Sequence, residues 1–205
     1  MAAPEVKATA TPPAVAPQVD GKLVLAFGDS LYAGYGVRQN ESFPAQLEAA
    51  LRRQGVAATV RNAGVSGETT AGGRERLAFT LDGLPRRPDL VLLGLGGNDM
   101  LRGLPPEQTE ANLRAMLDEL KRRDLPVLMT GMIAAPNRGR DYGRRFDAIY
   151  PALATQYDAD LYPFFLDQVV TDRTLMLGDR IHPNPKGIAR VVGRVAPMVA
   201  ERLAE

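Results

Sequence analysis

The 205-residue chain contains no cysteine and only one histidine, at position 182. The missing cysteine excludes disulfide bonds, thiolate nucleophiles and iron–sulfur clusters, and the single histidine excludes a histidine-rich metal site. A reaction that needs an imidazole as its base must therefore use His182. The absence of cysteine leaves the redox compartment open, because such a chain folds in either environment.

The sequence also lacks a strong excess of charge and a long apolar run. Lysine and arginine together number 25, and aspartate and glutamate together number 24. So balanced a chain has little net field to attract nucleic acid or an anionic membrane. No segment approaches the roughly 20 apolar residues that a membrane-spanning helix requires. We therefore expect no nucleic-acid partner and no integral membrane segment.

The chain divides into an N-terminal leader and one domain. Residues 1–21 are rich in alanine and proline, show no helical or strand periodicity and lack the apolar core of a secretory signal. We predict a disordered leader there and a single domain over residues 22–205, which is a usual length for one hydrophobic core. The sequence leaves the oligomeric state open.

Short apolar runs alternate with longer amphipathic segments, a pattern typical of parallel sheets covered by helices. Candidate strands occupy residues 23–27, 58–61, 90–95 and 127–133, with a short one near Leu161. A helix is predicted over residues 44–53, with Ser42 as its cap and Gly55 at its end. These features predict a three-layer α/β/α domain around a flavodoxin-like, five-stranded parallel sheet.

Unusual residues follow the strands at the edge where such sheets bind ligands. They form the segments GDSL at 28–31, NAGVSG at 62–67 and GGND at 96–99, and DRIHPN at 179–184 precedes the last helix. We therefore expect these four segments to meet at one end of the sheet.

Three of these residues can form a nucleophile and its base. A serine hydroxyl becomes nucleophilic when a neighbouring imidazole takes its proton, and a carboxylate orients that imidazole. Ser30, His182 and Asp179 supply the three groups, and Asp179 lies three residues before His182, so one turn brings the two side chains together. On spacing alone, Ser30 as a helix cap and His182 as a loop histidine are equally consistent with the sequence.

Acyl transfer also requires hydrogen-bond donors for the oxyanion. The backbone N–H groups of Ser30 and Gly67 and the side-chain amide of Asn98 follow three different strands. Taken singly, each glycine is better explained as a turn residue and Asn98 as a cap. Competing motifs fail: GLGGND lacks the third glycine of a dinucleotide fingerprint, and no Walker, HExxH or GxSxG motif occurs at the relevant positions.

Together, FGDSL, NAGVSGETT, LGGND and DRIHPN resemble the four ordered blocks of the SGNH (GDSL) hydrolases. The resemblance runs from about residue 23 to the C-terminus, and the segments GGNDMLRG, AIYPALA and LYPFFL are similar to the bacterial arylesterase and thioesterase I/lysophospholipase branch. It implies a catalytic triad of Ser30, Asp179 and His182, an oxyanion hole of Ser30, Gly67 and Asn98, and no metal or cofactor.

The resemblance implies a small-molecule acyl ester as substrate: short to medium acyl esters and aryl esters, with thioesters and lysophospholipids as further candidates. Predicted substrate-binding residues are Leu31, Leu101, Leu104, Pro136, Tyr142 and Ile181. The resemblance favours a periplasmic or secreted protein if the chain is a mature form, and a cytoplasmic one otherwise. A carbohydrate O-deacetylase and a non-catalytic flavodoxin-like binding module stay open as alternatives.

Overall fold

The computed structural model describes residues 21–205, so all but the last residue of the predicted leader lies outside the described residues. Five strands form one parallel sheet in the order β2-β1-β3-β4-β5. The strands are β1 (Lys22–Gly28), β2 (Ala58–Gly64), β3 (Leu90–Gly94), β4 (Val127–Thr130) and β5 (Asp160–Tyr162). The predicted fold class is therefore confirmed.

Helices cover both faces of this sheet. They are α1 (Ser30–Ala33), α2 (Phe43–Arg53), α3 (Thr70–Asp82), α4 (Gly97–Arg102), α5 (Pro106–Arg122), α6 (Arg140–Asp147), α7 (Ile149–Tyr157) and α8 (Pro185–Ala204), with short 3₁₀ turns at Gln39–Glu41, Pro136–Arg138 and Arg173–Leu175. Helices α2 and α8 pack on one face, and α3, α5 and α7 on the other. Within residues 21–205, no helix combines the length and apolarity needed to cross a membrane.

The central strand β1 shows why the sequence forms this arrangement. Successive side chains of a strand point to opposite faces, so a strand between two helical layers is apolar on both. Val24 and Ala26 are buried in the core cluster under α2 and α8, whereas Leu25 and Phe27 are buried under α3 and α5. The apolar run of β1 thus joins both halves of the core.

Glycines at the carboxyl edge of the sheet make room for the site. Gly28 pairs with Gly64 on one side and with Gly94 on the other, so three glycines share one rung. A Cβ atom on Gly64 would lie 2.2 Å from the backbone nitrogen of Ala33, and one on Gly94 would lie 2.6 Å from the ring of Tyr32. Because these positions carry no side chain, α1 can lie directly across the strand ends.

Two local predictions need correction. The predicted strand 127–133 ends at Thr130, because the chain then leaves the sheet to line a cavity, where Ile133 is 44% exposed. Ser42 precedes α2 but does not cap it through its side chain, since its hydroxyl donates to the carbonyl of Gln39 at 2.8 Å. Gly55 ends the helix region as predicted, with a φ of +82°.

Candidate active site

The side chains of Ser30, His182 and Asp179 form a continuous chain of hydrogen bonds at the carboxyl edge of the sheet. The Oγ atom of Ser30 lies 2.8 Å from Nε2 of His182, and Nδ1 of His182 lies 2.7 Å from Oδ2 of Asp179. Ser30 begins α1 directly after β1, whereas the other two residues come from the loop before α8. The fold therefore brings together residues 152 positions apart in the chain.

The loop geometry fixes the carboxylate of Asp179. Its Oδ1 atom accepts hydrogen bonds from the backbone N–H groups of Ile181 at 2.9 Å and His182 at 3.0 Å, while Oδ2 faces the imidazole. Partial burial opposes ionisation, but these hydrogen bonds and the nearby imidazole outweigh it and lower the pKa of Asp179 to about 2. The carboxylate is thus charged at neutral pH and holds His182 with Nε2 toward the serine.

The rest of the DRIHPN segment anchors this loop. The backbone N–H of Leu177 donates to the carbonyl of His182 at 2.8 Å. The side chain of Asn184 caps α8 by accepting from the N–H groups of Lys186 and Gly187, at 3.0 and 3.1 Å. A capping side chain of this kind stabilises a helix start and here sets where the loop begins. The position of His182 therefore follows from the start of α8.

The three predicted oxyanion donors line the same cavity as His182. No acceptor within residues 21–205 binds the backbone N–H of Ser30 or of Gly67. Gly67 has a φ of +79°, a left-handed conformation that glycine adopts at little cost. The Nδ2 atom of Asn98 donates to Oδ2 of Asp29 at 3.1 Å, which leaves its second hydrogen free for a ligand.

Asp29 links the start of α1 to Asn98. It is 3% exposed, and its two carboxylate oxygens accept from the backbone N–H of Leu31 at 3.0 Å and from Asn98. Burial raises the pKa of Asp29 to about 6, against the opposing effects of these hydrogen bonds and of His182. Nothing in the sequence pairs Asp29 with Asn98, and only the structure reveals this contact.

Asp29→Asn is expected to change the pH dependence of stability and to lower the activity. Because the folded-state pKa of Asp29 exceeds the ordinary value of 3.8, the folded state holds the proton more tightly, and stability from this group falls as pH rises from about 4 to about 6. An asparagine has no such cost, so the variant gains about 2–3 kcal/mol relative to the parent between pH 4 and 7.

The activity loss has a different cause. The single carbonyl oxygen of an asparagine cannot accept from both Leu31 and Asn98, so we expect kcat to fall about 10- to 100-fold, less than the loss of a whole oxyanion donor. Urea unfolding and ester hydrolysis of Asp29→Asn, each followed from pH 4 to 7, measure both effects. A constant stability difference between the two proteins would contradict the buried, titrating carboxylate.

Asp99 has a structural role. Its buried carboxylate accepts from the backbone N–H of Thr70 at 2.8 Å, from the Thr70 hydroxyl at 2.5 Å and from the Thr109 hydroxyl at 3.4 Å. These bonds join α4 to α3 and α5. The turn that carries Asn98 is therefore held to both neighbouring helices.

A cavity of about 790 Å³ opens beside Ser30, and its lining is mainly apolar. Of the predicted substrate-binding residues, Leu31, Leu101, Pro136 and Ile181 line it. Leu104 and Tyr142 do not: the Tyr142 hydroxyl donates to the carbonyl of Leu104 at 3.0 Å, and its ring stacks on Phe146. Several further lining residues were not predicted from the sequence: Tyr35, Met100, Met132, Ile133, Phe164, Leu166 and Val170.

Met132 and Ile133 show why part of the lining was missed. Their apolar character placed them in the predicted strand 127–133, although they line the cavity. A second cavity, of about 700 Å³, lies at the opposite edge of the sheet and contains none of the triad or oxyanion residues. Within residues 21–205, no group of three or more histidine, aspartate or glutamate side chains is arranged to hold a metal ion.

Comparison with known proteins gives a consistent result. The profile of the GDSL-like Lipase/Acylhydrolase family matches residues 26–190. The arylesterase of Vibrio mimicus is 40% identical over 190 residues, which cover 93% of this chain and 90% of that protein. The Thioesterase 1/protease 1/lysophospholipase L1 of Escherichia coli strain K12 is 40% identical over 161 residues, 78% of this chain and 75% of that protein.

A solved structure shows the same similarity in three dimensions. The crystal structure of AlinE4, described as an SGNH-hydrolase family esterase, aligns with a TM-score of 0.77 at 50% sequence identity. The alignment covers 88% of this chain and 96% of AlinE4. Sequence and fold therefore agree on the kind of protein to which this chain is similar.

Proposed function

The chain belongs to the GDSL-like lipase/acylhydrolase family and is an ester hydrolase, and we propose that Ser30 is its nucleophile, His182 its general base and Asp179 the residue that orients His182. The observation that carries this proposal is the hydrogen-bond chain from Ser30 Oγ through the imidazole to the Asp179 carboxylate, beside an apolar cavity. This geometry matches what an activated serine requires.

In the proposed reaction, Ser30 Oγ attacks the ester carbonyl while Nε2 of His182 takes the hydroxyl proton. The carbonyl oxygen becomes an oxyanion, which accepts hydrogen bonds from the Ser30 and Gly67 N–H groups and from Asn98. The protonated imidazole then donates its proton to the departing alkoxide or thiolate, leaving an acyl-enzyme. A water molecule, deprotonated by His182, attacks the acyl-enzyme, releases the acid and restores Ser30.

The cavity favours an acyl chain as the group that the protein binds. Its lining consists mainly of leucine, isoleucine, methionine, alanine and aromatic side chains, and burying apolar surface there yields about 25 cal/mol per Å². A sugar has hydroxyl groups that require polar partners, so this lining favours acyl esters over acetylated carbohydrates. Small acyl esters, with thioesters and lysophospholipids among the candidates, are thus the proposed substrates. A periplasmic or secreted location is proposed for a mature form of the chain, and a cytoplasmic one otherwise.

A substrate panel combined with active-site labelling tests the proposal. We expect hydrolysis of p-nitrophenyl esters and acyl thioesters to exceed that of acetylated sugars, and a fluorophosphonate to label Ser30 alone, as located by peptide mass spectrometry. Prior incubation with the fluorophosphonate is expected to abolish hydrolysis. Preference for acetylated sugars would favour the deacetylase alternative, and absence of both hydrolysis and labelling would favour a binding module.

A further inference from the structure

An ion pair lies directly behind the loop that presents Gly67. Arg76 on α3 donates from Nε to Oε1 of Glu68 at 2.6 Å, and its Nη2 binds the second carboxylate oxygen. The side chains are only 22% and 8% exposed, respectively. A two-point contact between guanidinium and carboxylate is stronger and more directional than a single hydrogen bond. The partner of Arg76 is the residue that immediately follows Gly67 in the chain.

The same guanidinium also binds the ends of two strands. Its Nη2 atom donates to the carbonyl of Ala63 in β2 at 2.9 Å and to the carbonyl of Gly28 in β1 at 3.2 Å. Its Cζ atom lies 3.9 Å from the ring centroid of Phe27, a distance typical of a cation–π contact. Arg76 therefore fixes Glu68 relative to the strand that leads into Ser30.

The loop itself is a tight turn. The Glu68 N–H donates to the carbonyl of Val65 at 3.2 Å, and Gly67 occupies the third position of this turn with a φ of +79°. On the outer side, the Arg102 guanidinium donates to the Gly67 carbonyl at 2.6 Å. The peptide group between Gly67 and Glu68 is thus held at its carbonyl by Arg102 and at its N–H by Val65. The Glu68–Arg76 pair holds the next side chain, so the turn that carries the Gly67 N–H is restrained on both sides.

We propose that Arg76 and Glu68 are positioning residues that aim the Gly67 N–H at the oxyanion. This inference rests on the proposed function, in which Gly67 is an oxyanion donor. Oxyanion stabilisation depends on donors placed 2.7–3.1 Å from the developing charge, and a displacement of about 1 Å can cost on the order of 100-fold in rate. Gly67 has no side chain of its own to hold it, so its neighbour Glu68 does so through Arg76.

Two conservative variants test the proposal. Arg76→Lys keeps the positive charge but loses the two-point contact, and Glu68→Gln keeps the shape but loses the charge. For both, we expect kcat for p-nitrophenyl butyrate to fall about tenfold or more, with KM changed less than about twofold, since the loss concerns the transition state. Asn98→Ala, which removes a whole donor, is the reference for a larger fall of about 10²–10³.

Asp82→Asn is the matched control, because it removes an ion pair with Arg123 at the other end of the same helix. We expect this variant to keep the parental kcat. An alkyl trifluoromethyl ketone supplies a second readout, since its hemiketal oxygen occupies the oxyanion position when Ser30 adds to it. Its inhibition constant is expected to rise about tenfold in Arg76→Lys and Glu68→Gln and to stay at the parental value in Asp82→Asn. Circular dichroism and thermal unfolding verify that each variant is folded at the assay temperature.

Different outcomes would overturn the positioning role of Arg76 and Glu68 and the proposed function. Parental kcat and a parental inhibition constant in folded Glu68→Gln and Arg76→Lys would overturn the positioning role, even with Ser30→Ala inactive. A loss confined to stability or to KM would do the same, because a merely structural ion pair produces that pattern. An active Ser30→Ala variant would instead overturn the proposed function itself.

Discussion

Ser30→Ala is expected to lower kcat/KM by at least about 10⁴-fold while the protein stays folded. The alanine removes the atom that attacks the carbonyl and leaves His182 without its partner at 2.8 Å. Ser30 is 8% exposed and begins the short helix α1, and an alanine fits there without a new contact. The measurement is steady-state hydrolysis of a p-nitrophenyl ester, with circular dichroism to verify the fold.

Ser66 provides a matched control for this variant. It lines the same cavity, but its hydroxyl binds no base within residues 21–205. Ser66→Ala is therefore expected to retain activity within a few-fold of the parent and to react with a fluorophosphonate, whereas Ser30→Ala is expected to do neither. If Ser30→Ala stayed active and lost its activity only when Ser66 was also replaced, the nucleophile would be Ser66 and the assignment to Ser30 would be wrong.

Asp179→Asn is expected to lower kcat/KM by about 10⁴-fold, because an asparagine can donate to Nδ1 and thereby favours the wrong tautomer of His182. The substitution should leave the loop conformation intact, because the carbonyl oxygen of an asparagine can still accept from the N–H groups of Ile181 and His182. We therefore expect the variant to fold and to bind substrate with a KM close to the parental value. A fall of less than tenfold would remove Asp179 from the mechanism.

The pH dependence gives this prediction a second test. The pKa of Asp179 is lowered to about 2, so this carboxylate stays charged across pH 4–9, and its stabilising contribution is lost only as pH falls from about 4 toward 2. The acid limb of kcat/KM must then come from protonation of another group, and His182 is the only histidine. In Asp179→Asn we expect kcat/KM to be lower than the parental value at every pH from 4 to 9.

Asp29 also contributes to the fall of kcat/KM on the acid side of the pH profile, because burial raises its pKa to about 6. A profile recorded with Asp29→Asn removes this contribution. An acid limb that disappears altogether in Asp29→Asn would assign the titration to Asp29 rather than to the base. A flat profile in the parent protein would contradict a histidine base of any kind.

Much of the site could be predicted because its residues lie where the backbone pattern requires them. In a parallel sheet the residues after each strand meet at one edge, so Ser30, Gly67 and Asn98 were expected to converge once the strands were recognised. The spacing of Asp179 and His182 is local, and a single turn accounts for their contact. These predictions needed only the order of the elements.

Other features depended on contacts between side chains far apart in the chain. Met132 and Ile133 continue the apolar pattern of a buried strand, and only the position of the cavity distinguishes them from one. Likewise, Leu104 and Tyr142 are apolar and near the site in sequence, yet they bind each other and leave the cavity wall to other residues. Composition and periodicity show which residues are apolar, but they do not show whether an apolar residue packs in the core or lines the cavity.

The sequence by itself therefore determined the sheet and the four segments at its edge, and it supplied the candidates for the reacting groups, because strand periodicity and residue chemistry are local properties. The tertiary structure alone decided how those groups are held. Asp29 meets Asn98 across 69 residues, and Arg76 reaches back to Gly28 across 48. Such contacts follow from the packing of helices on strands, which buries Asp29 and thereby raises its pKa, and which in the proposed mechanism sets the direction of the oxyanion donors.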